Sequence, residues 1–254
     1  MDDATLMTVL DRTVDAVRAA LAGLDDWGLA GTRPNQYRSD LAADEAALRV
    51  LTDAGLGVLS EESGLTSGRS GLVAVLDPVD GSTNASRRLP WYATSICVLD
   101  DDGARAALVS NLASGVSYRA HRGGGATRDG RPVAPSGLTS MRSALVGVSG
   151  LPRSRPPWRQ TRALGAAALD LCLVADGTID AYCDNGDDAH GPWDYLGGML
   201  VCLEAGAAVT EALGRDLIVR EYGPRRIPLA AATPELLGDL VAHRVPGGRD
   251  APSA

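Results

Sequence analysis

The stretch that most constrains this chain runs from Leu72 to Asn84. Leu72-Val73-Ala74-Val75-Leu76 is a continuous apolar run of strand length, and it stops abruptly at Asp77-Pro78-Val79-Asp80-Gly81-Ser82-Thr83-Asn84. Two carboxylates three residues apart thus sit at the end of a buried strand, where α/β proteins bind ligands. Pro78 fixes its own φ and restricts Asp77, so the turn is stiff. Gly81 permits close backbone approach, and Ser82, Thr83 and Asn84 are residue types that open a helix. The free N–H groups of such a helix start suit a phosphate. One short segment offers hard oxygen ligands for a cation and amide donors for an anion. Read alone, Asp77 and Asp80 also fit plain turn and cap roles.

Further carboxylates occur in similar settings. Glu61 and Glu62 follow a short strand at 57–59, Ser39 or Asp40 is placed to cap a helix, and Asp194 in Gly191-Pro192-Trp193-Asp194 stands just ahead of an apolar helix. Each alone reads as a solvated loop or a helix cap. A cluster of Asp40, Glu61, Asp77, Asp80 and Asp194 would be untenable without cations, since two carboxylates at ~4 Å repel by about 4 kcal/mol at an effective dielectric near ~20. Two or three divalent ions offset such a charge, and all-oxygen ligands favour Mg²⁺ or Mn²⁺ over zinc. Other chemistries find no support: there is no Gly-x-Ser-x-Gly elbow, no phosphate loop ending in Gly-Lys and no His-Glu-x-x-His. His121, His190 and His243 are scattered; His190, near Asp194, either meets substrate or stands in solvent on a loop.

The rest of the pattern is mixed. Apolar residues at helical spacing predict a helix over 6–24 and a second to about Asp53, stopped by Gly55, with a polar loop between them. β-like stretches follow at 93–99, 104–110 and 115–120, and Gly123-Gly124-Gly125 reads as a hairpin turn. Beyond a Pro/Arg-rich loop at 151–159, the pattern predicts helices over 164–175, 195–205 and 234–243. Strands are expected at 178–182, 207–210 and 227–231. No repeat or sharp linker appears, so the expectation is an α+β fold with helices and sheets in separate layers.

Net charge is −8 and all 24 basic residues are arginine, a balance that disfavours nucleic acid and anionic membranes. No apolar run reaches the roughly 18 residues of a membrane span, and no basic-then-apolar leader opens the chain. Cys97, Cys172, Cys183 and Cys202 are far apart, three of them in apolar stretches, as buried thiols of a reducing cytoplasm would be.

Taken in order, these pieces resemble the inositol monophosphatase family. The signature comprises an Asp opening a helix (Asp40), Glu61-Glu62, Asp77 to Ser82, and Trp193-Asp194-Tyr195-Leu196-Gly197. Further matches are Gly124-Gly125-Ala126 with Gly130, Leu164 to Cys172, Asp180-Ala181-Tyr182 and Glu204-Ala205-Gly206. The likeness runs from about residue 5 to 243. It implies a layered α-β-α-β-α sandwich of the inositol monophosphatase / fructose-1,6-bisphosphatase type. A single catalytic domain would span 1–245, in two intimate halves divided near 140–160, with a flexible tail at 246–254. It also implies a cytoplasmic, lithium-sensitive, magnesium-dependent phosphatase, commonly a homodimer. The substrate would be a small phosphorylated metabolite, inositol 1-phosphate first; fructose 1,6-bisphosphate, histidinol phosphate and 3′-phosphoadenosine 5′-phosphate are the alternatives. A reading of another class is a catalytically silent metal- or phosphate-binding protein.

The same resemblance assigns roles. Glu61, Asp77 and the Val79 carbonyl would hold one Mg²⁺, and Asp77, Asp80 and Asp194 a second. A weaker third would approach Glu61, with Asp40 joining through water. Ser82 and Asp40 would activate the attacking water, and the amides of Gly81 and Ser82 would grip the phosphate. Asp80, Asp194, the Gly165-Ala166-Ala167 turn and Asp184 would meet the substrate. Two departures stand out: Gly197 where the family has Ala, and Ala207 where it has a second Gly, both readable as packing changes. Asp184 also lies ten residues before Asp194, a longer gap than the inositol enzymes suggest, which leaves Asp187 as its competitor.

Overall fold

The structure is a computed structural model that describes residues 1–152 and 154–244; the expected tail at 246–254 lies outside them. Two helices open the chain, α1 (Asp3–Ala22) and α2 (Arg38–Asp53), and both bury an apolar stripe. Their buried residues, Leu6, Leu10, Val14, Val17, Ala43, Ala47 and Leu51 among them, pack on one face of the first sheet. Gly55, at φ +87°, ends α2 as expected.

The first sheet is built from β1 (Gly57–Ser60), β2 (Gly64–Thr66), β3 (Val73–Asp80), β4 (Ala93–Asp100), β5 (Gly103–Asn111), β6 (Ser117–His121), β7 (Gly125–Arg128) and β8 (Arg131–Pro132). Its order is β2-β1-β3-β4-β5-β6-β7-β8, with only β1 and β3 running parallel. The apolar run at 72–76 does form a buried strand. The strand does not stop at Asp77, however: β3 continues to Asp80, and its register against β4 shifts between Asp77 and Asp80. Pro78 cannot donate to the ladder, so the two acids sit on either side of an irregularity that re-aims their side chains. β2 is a short strand that pairs antiparallel with β1. The hairpin turn at Gly123-Gly124-Gly125 joins β6 to β7, as expected.

The second sheet has the order β10-β9-β11-β13-β12, formed by β9 (Leu145–Ser149), β10 (Gln160–Arg162), β11 (Ala181–Asp184), β12 (Ala208–Glu211) and β13 (Pro228–Ala231). Between the sheets lie α4 (Ala167–Ala175) and α5 (Pro192–Ala205), apolar nearly all round, as a sandwiched layer must be. The last helix, α6 (Pro234–Arg244), covers the far face of the second sheet through Leu236 and Leu240. The layers therefore run α, β, α, β, α, as the resemblance implied. All four cysteines are buried thiols.

Several boundaries differ from the sequence expectation. α4 starts at Ala167 rather than 164, because Gly165 takes a left-handed φ of +87° and Ala166 is extended. The strand expected at 178–182 is β11, displaced to Ala181–Asp184, and α5 begins three residues earlier than expected, with Pro192 at its first turn. β8, β9 and β10 were not expected; β10 begins just past the expected loop at 151–159.

Gly197 illustrates how tightly α5 sits on the first sheet. A methyl group there would lie 2.6 Å from Ser95 Oγ and 3.0 Å from Val109 Cγ2. The Ser95 hydroxyl itself donates to the Trp193 carbonyl at 3.3 Å. Glycine at this position is the counterpart of serine on β4. We predict that Gly197→Ala destabilises the fold by roughly 1–3 kcal/mol through overpacking. Adding Ser95→Ala should recover part of that loss, and a double-mutant cycle in urea would show it. Additive losses would mean the two positions do not share the space.

Candidate active site

Three elements bring carboxylates together at one end of the first sheet. Glu61 follows β1, Asp77 lies on β3, and Asp194 occupies the first turn of α5. One oxygen from each falls within 4.8 Å of the other two, a grouping that can hold a metal ion. Asp77 is 2% exposed, and its Oδ1 accepts the Val79 N–H at 3.0 Å. Asp194 does not cap α5 as the sequence allowed. Gly191 is the N-cap, and Asp194 reaches back to accept the Gly191 N–H at 2.7 Å. Asp40 is displaced in the same way: Tyr37 precedes α2, and Asp40 accepts its N–H at 2.9 Å from three positions on. Both acids thus occupy the N3 position, where their charge also favours the helix dipole.

Asp80 is oriented differently. Its two oxygens accept the Ala167 N–H at 3.2 Å and the Ala168 N–H at 2.8 Å, so it holds the start of α4. Asp80 is not one of the three tightly grouped acids. The turn before α4 packs directly on Gly81, which has φ +86°. A methyl group there would sit 3.0 Å from the carbonyls of Gly165 and Trp91. Asn84 ties the same junction, donating to the carbonyls of Trp91 and Leu164, each at 2.8 Å. Gly165, Ala166 and Ala167 are thereby fixed beside Asp80. Ser82 opens the short helix α3 (Ser82–Ser86).

Ser82, Asp40, Glu61, Glu62, Trp193, Tyr222, Arg33 and Arg225 are among the residues lining a cavity of about 300 Å³. A larger cavity, about 1000 Å³, lies at the far end of α3 against Trp27 and Tyr92. It reaches none of the clustered acids, so the chemistry belongs to the smaller one.

Burial and mutual repulsion dominate the electrostatics of these acids. Burial, then repulsion from Asp194, Glu62, Asp40 and Asp80, pushes Glu61 up to about 9. Burial and then the charge of Glu62 push Asp40 up to about 7, against the opposing Tyr37 hydrogen bond. Asp77 and Asp80 are raised as well, first by burial and then by their acidic neighbours. Carboxylates that repel one another in a buried site, with oxygen the only ligand type among the grouped acids, fit a bound divalent cation.

Two residues were read differently or not at all from sequence. His190 is not a solvent-facing loop residue: its side chain is only 13% exposed. Nδ1 lies 3.3 Å from Asp194 Oδ2, and Nε2 lies 3.7 Å from Asp184 Oδ2. Burial alone would lower its pKa, but the hydrogen bond to Asp194 and the charges of Asp194, Asp184 and Asp80 raise it to about 9. Asp184 is fully buried, and its Oδ2 has no hydrogen-bond partner among the described residues. Asp187, its competitor, is 75% exposed and points towards Arg244. The second unexpected feature is a loop from the C-terminal half. Tyr222 donates its hydroxyl to the Glu61 carbonyl at 2.8 Å and accepts from Arg33 at 3.2 Å, while Arg33 and Gln36 both bond the Glu62 carboxylate. In a chain whose every cation is arginine, nothing in the sequence sets Arg33 or Arg225 apart.

Comparison with known proteins now decides the family. Residues 39–246 match the profile of the inositol monophosphatase family. The chain belongs to that family. A fructose-1,6-bisphosphatase/inositol-1-monophosphatase of Archaeoglobus fulgidus is 29% identical over 248 residues, covering 93% of this chain and 96% of its own. The inositol-1-monophosphatase ImpA of Mycolicibacterium smegmatis is 32% identical, over 69% of each chain. Among solved structures, a Pyrococcus horikoshii protein with similarities to inositol-1 monophosphatase superposes with a TM-score of 0.86. Its identity is 23%, and the match covers 95% of this chain and 99% of that one. The family is metal-dependent, and the grouped acids of this member suit that requirement.

The raised carboxylates imply a pH dependence for metal-free protein. Groups whose folded pKa lies above the unfolded value favour folding least once the unfolded chain ionises first. The contribution of these groups to stability in EDTA should therefore be largest below about pH 4 and fall as pH rises through and beyond the ordinary carboxylate range. Added divalent metal should remove most of that fall. Thermal melts across this range, with and without metal, measure it; a flat metal-free profile would contradict the buried charge cluster.

Proposed function

We propose that this phosphoric monoester hydrolase acts on a small polyol monophosphate, inositol 1-phosphate first, with Mg²⁺ as its metal. The supporting observation is the convergence of Glu61, Asp77 and Asp194 beside Asp40 and Ser82, in a chain of this family. Glu61, Asp77, the Val79 carbonyl, Asp80 and Asp194 would hold the ions. Bound there, divalent cations neutralise phosphate charge, lower the pKa of water and stabilise the leaving oxygen.

The chain's own residues supply the rest. Asp40, held by the Tyr37 amide and lining the same cavity as Ser82, accepts a proton from the attacking water. The Ser82 hydroxyl lines the same cavity and orients that water. The amides of Gly81 and Ser82, at the start of α3, point at the phosphate. Water oxygen bonds to phosphorus, its proton passes to Asp40, and the P–O bond to the polyol breaks. The leaving oxygen takes up a proton from solvent. No phosphoenzyme forms.

On the leaving-group side we place Asp80, Asp194, the Gly165-Ala166-Ala167 turn and Asp184. Inward burial and an unpartnered oxygen favour Asp184 over the outward Asp187. Because His190 stands against Asp184, the pair, rather than the carboxylate alone, faces the substrate hydroxyls. A homodimer in the cytoplasm, inhibited by lithium at a magnesium position, completes the reading.

Asp77→Asn and Asp194→Asn should each cut Mg²⁺-dependent turnover to below about a tenth, a barrier rise of at least ~1.4 kcal/mol, while circular dichroism stays native. Ser82→Ala should lose much activity yet keep Mg²⁺ binding, and a phosphoserine there would defeat the water mechanism. A panel of sugar, inositol and nucleotide phosphates tests the substrate. Asp184→Ala should cost inositol 1-phosphate more kcat/KM than p-nitrophenyl phosphate, since unpaired site groups penalise only the hydroxyl-bearing ligand. Equal losses would reduce Asp184 to a structural role.

A further inference from the structure

The cavity lined by Ser82, Asp40 and Glu61 is also lined by a cation that no acid among the described residues pairs with. Arg33 lines it too, but Arg33 is paired with Glu62. Arg225 has no carboxylate partner among the described residues, in a chain of net charge −8 where many arginines have one.

Its guanidinium is nevertheless held in place. Nη1 donates to the carbonyls of Tyr222 at 2.6 Å, Gly223 at 3.0 Å and Pro224 at 3.2 Å, all in its own loop. The guanidinium carbon lies over the Trp193 ring, 4.9 Å from its centroid, and 5.7 Å from that of Tyr222. The two rings lie 5.0 Å apart, and Tyr222 is itself anchored on the Glu61 carbonyl. Nε and Nη2 make no hydrogen bond among the described residues. This edge is a pair of parallel donors, the geometry that a phosphoryl group accepts in bidentate fashion. A guanidinium fixed by carbonyls and stacking loses little further freedom on binding.

Position decides which part of a substrate it meets. The cavity is shared with Asp40, Glu61 and Ser82, on the side of the water and the phosphoryl group. It is not lined by Gly165, Ala166, Ala167 or Asp184, which we place on the leaving-group side. We propose that Arg225 grips the phosphoryl group of the substrate, and the product phosphate after it, through its Nε–Nη2 edge. This rests on the phosphatase reading above. Arg225 then contributes to binding whatever alcohol the phosphate carries.

The test uses the full chain with saturating Mg²⁺ and inorganic phosphate as the probe, bound in calorimetry and acting as a competitive inhibitor. Arg225→Gln should weaken phosphate binding by about tenfold or more, and Arg225→Lys, which keeps the charge without the fork, by an intermediate factor. The loss of kcat/KM should be the same for inositol 1-phosphate and p-nitrophenyl phosphate, and Mg²⁺ affinity without phosphate should be unchanged. Unaltered phosphate affinity in either folded variant would overturn the proposal and leave Arg225 a loop anchor. A loss confined to substrates with a second anionic group would also overturn it, by moving the contact to the leaving group. Should no phosphate ester be hydrolysed, the phosphatase reading fails, while the calorimetric phosphate measurement still decides the role of Arg225.

Discussion

Mutual repulsion among buried carboxylates is the constraint around which this molecule is arranged. Glu61, Asp77 and Asp194 are brought within touching distance of a common point, at a cost that burial increases. Other parts of the fold hold each acid there. The strand irregularity at Pro78 turns Asp77, the Gly191 amide fixes Asp194, and the Tyr222 hydroxyl anchors the backbone of Glu61. Asp80 and Asp40 are fixed by the amides of α4 and α2. Backbone donors therefore hold four of these acids in position, and the remaining negative charge is left for metal to balance.

The position of Asp80 shows how one residue serves two ends. Its carboxylate completes the start of α4, and α4 together with α5 forms the layer against which both sheets close. The same contacts place the Gly165 turn beside Gly81, where only a residue without a side chain fits. Packing of the central layer and shape of the wall at Gly81 are consequently not independent variables.

How much of this was legible in sequence depends on whether the signal was local. The β3 strand with its terminal acids, Glu61-Glu62 and Trp193-Asp194 announce themselves, because each joins an apolar element to a carboxylate. The layered fold followed from their order. Exact helix starts did not: Asp40 and Asp194 look like N-caps, yet lie three residues inside, since Tyr37 and Gly191 supply the extended backbone. β9 escaped because a short inner strand needs no alternation of its own, and β10 because a three-residue exposed edge strand has no buried face to leave a pattern. His190, Tyr222 and Arg225 escaped for a different reason. Tyr222 meets Glu61 and Arg33, and Arg225 meets Trp193, across long stretches of chain; His190 has its acids close in sequence, but nothing in their spacing shows that it is buried between them.

The provenance of the three grouped acids has a consequence for how the protein is made. Glu61 and Asp77 emerge from the ribosome together, with strands that can pair at once. Asp194 follows more than a hundred residues later, on the helix that joins the two sheets. Until then one face of the first sheet, the one opposite α1 and α2, lacks its α5 cover, and the acid grouping lacks its third member. Such long-range closure is slow, and the nascent chain passes through a stage in which an apolar sheet face lies open beside unbalanced acids. The acid grouping is therefore completed only with the final quarter of the chain.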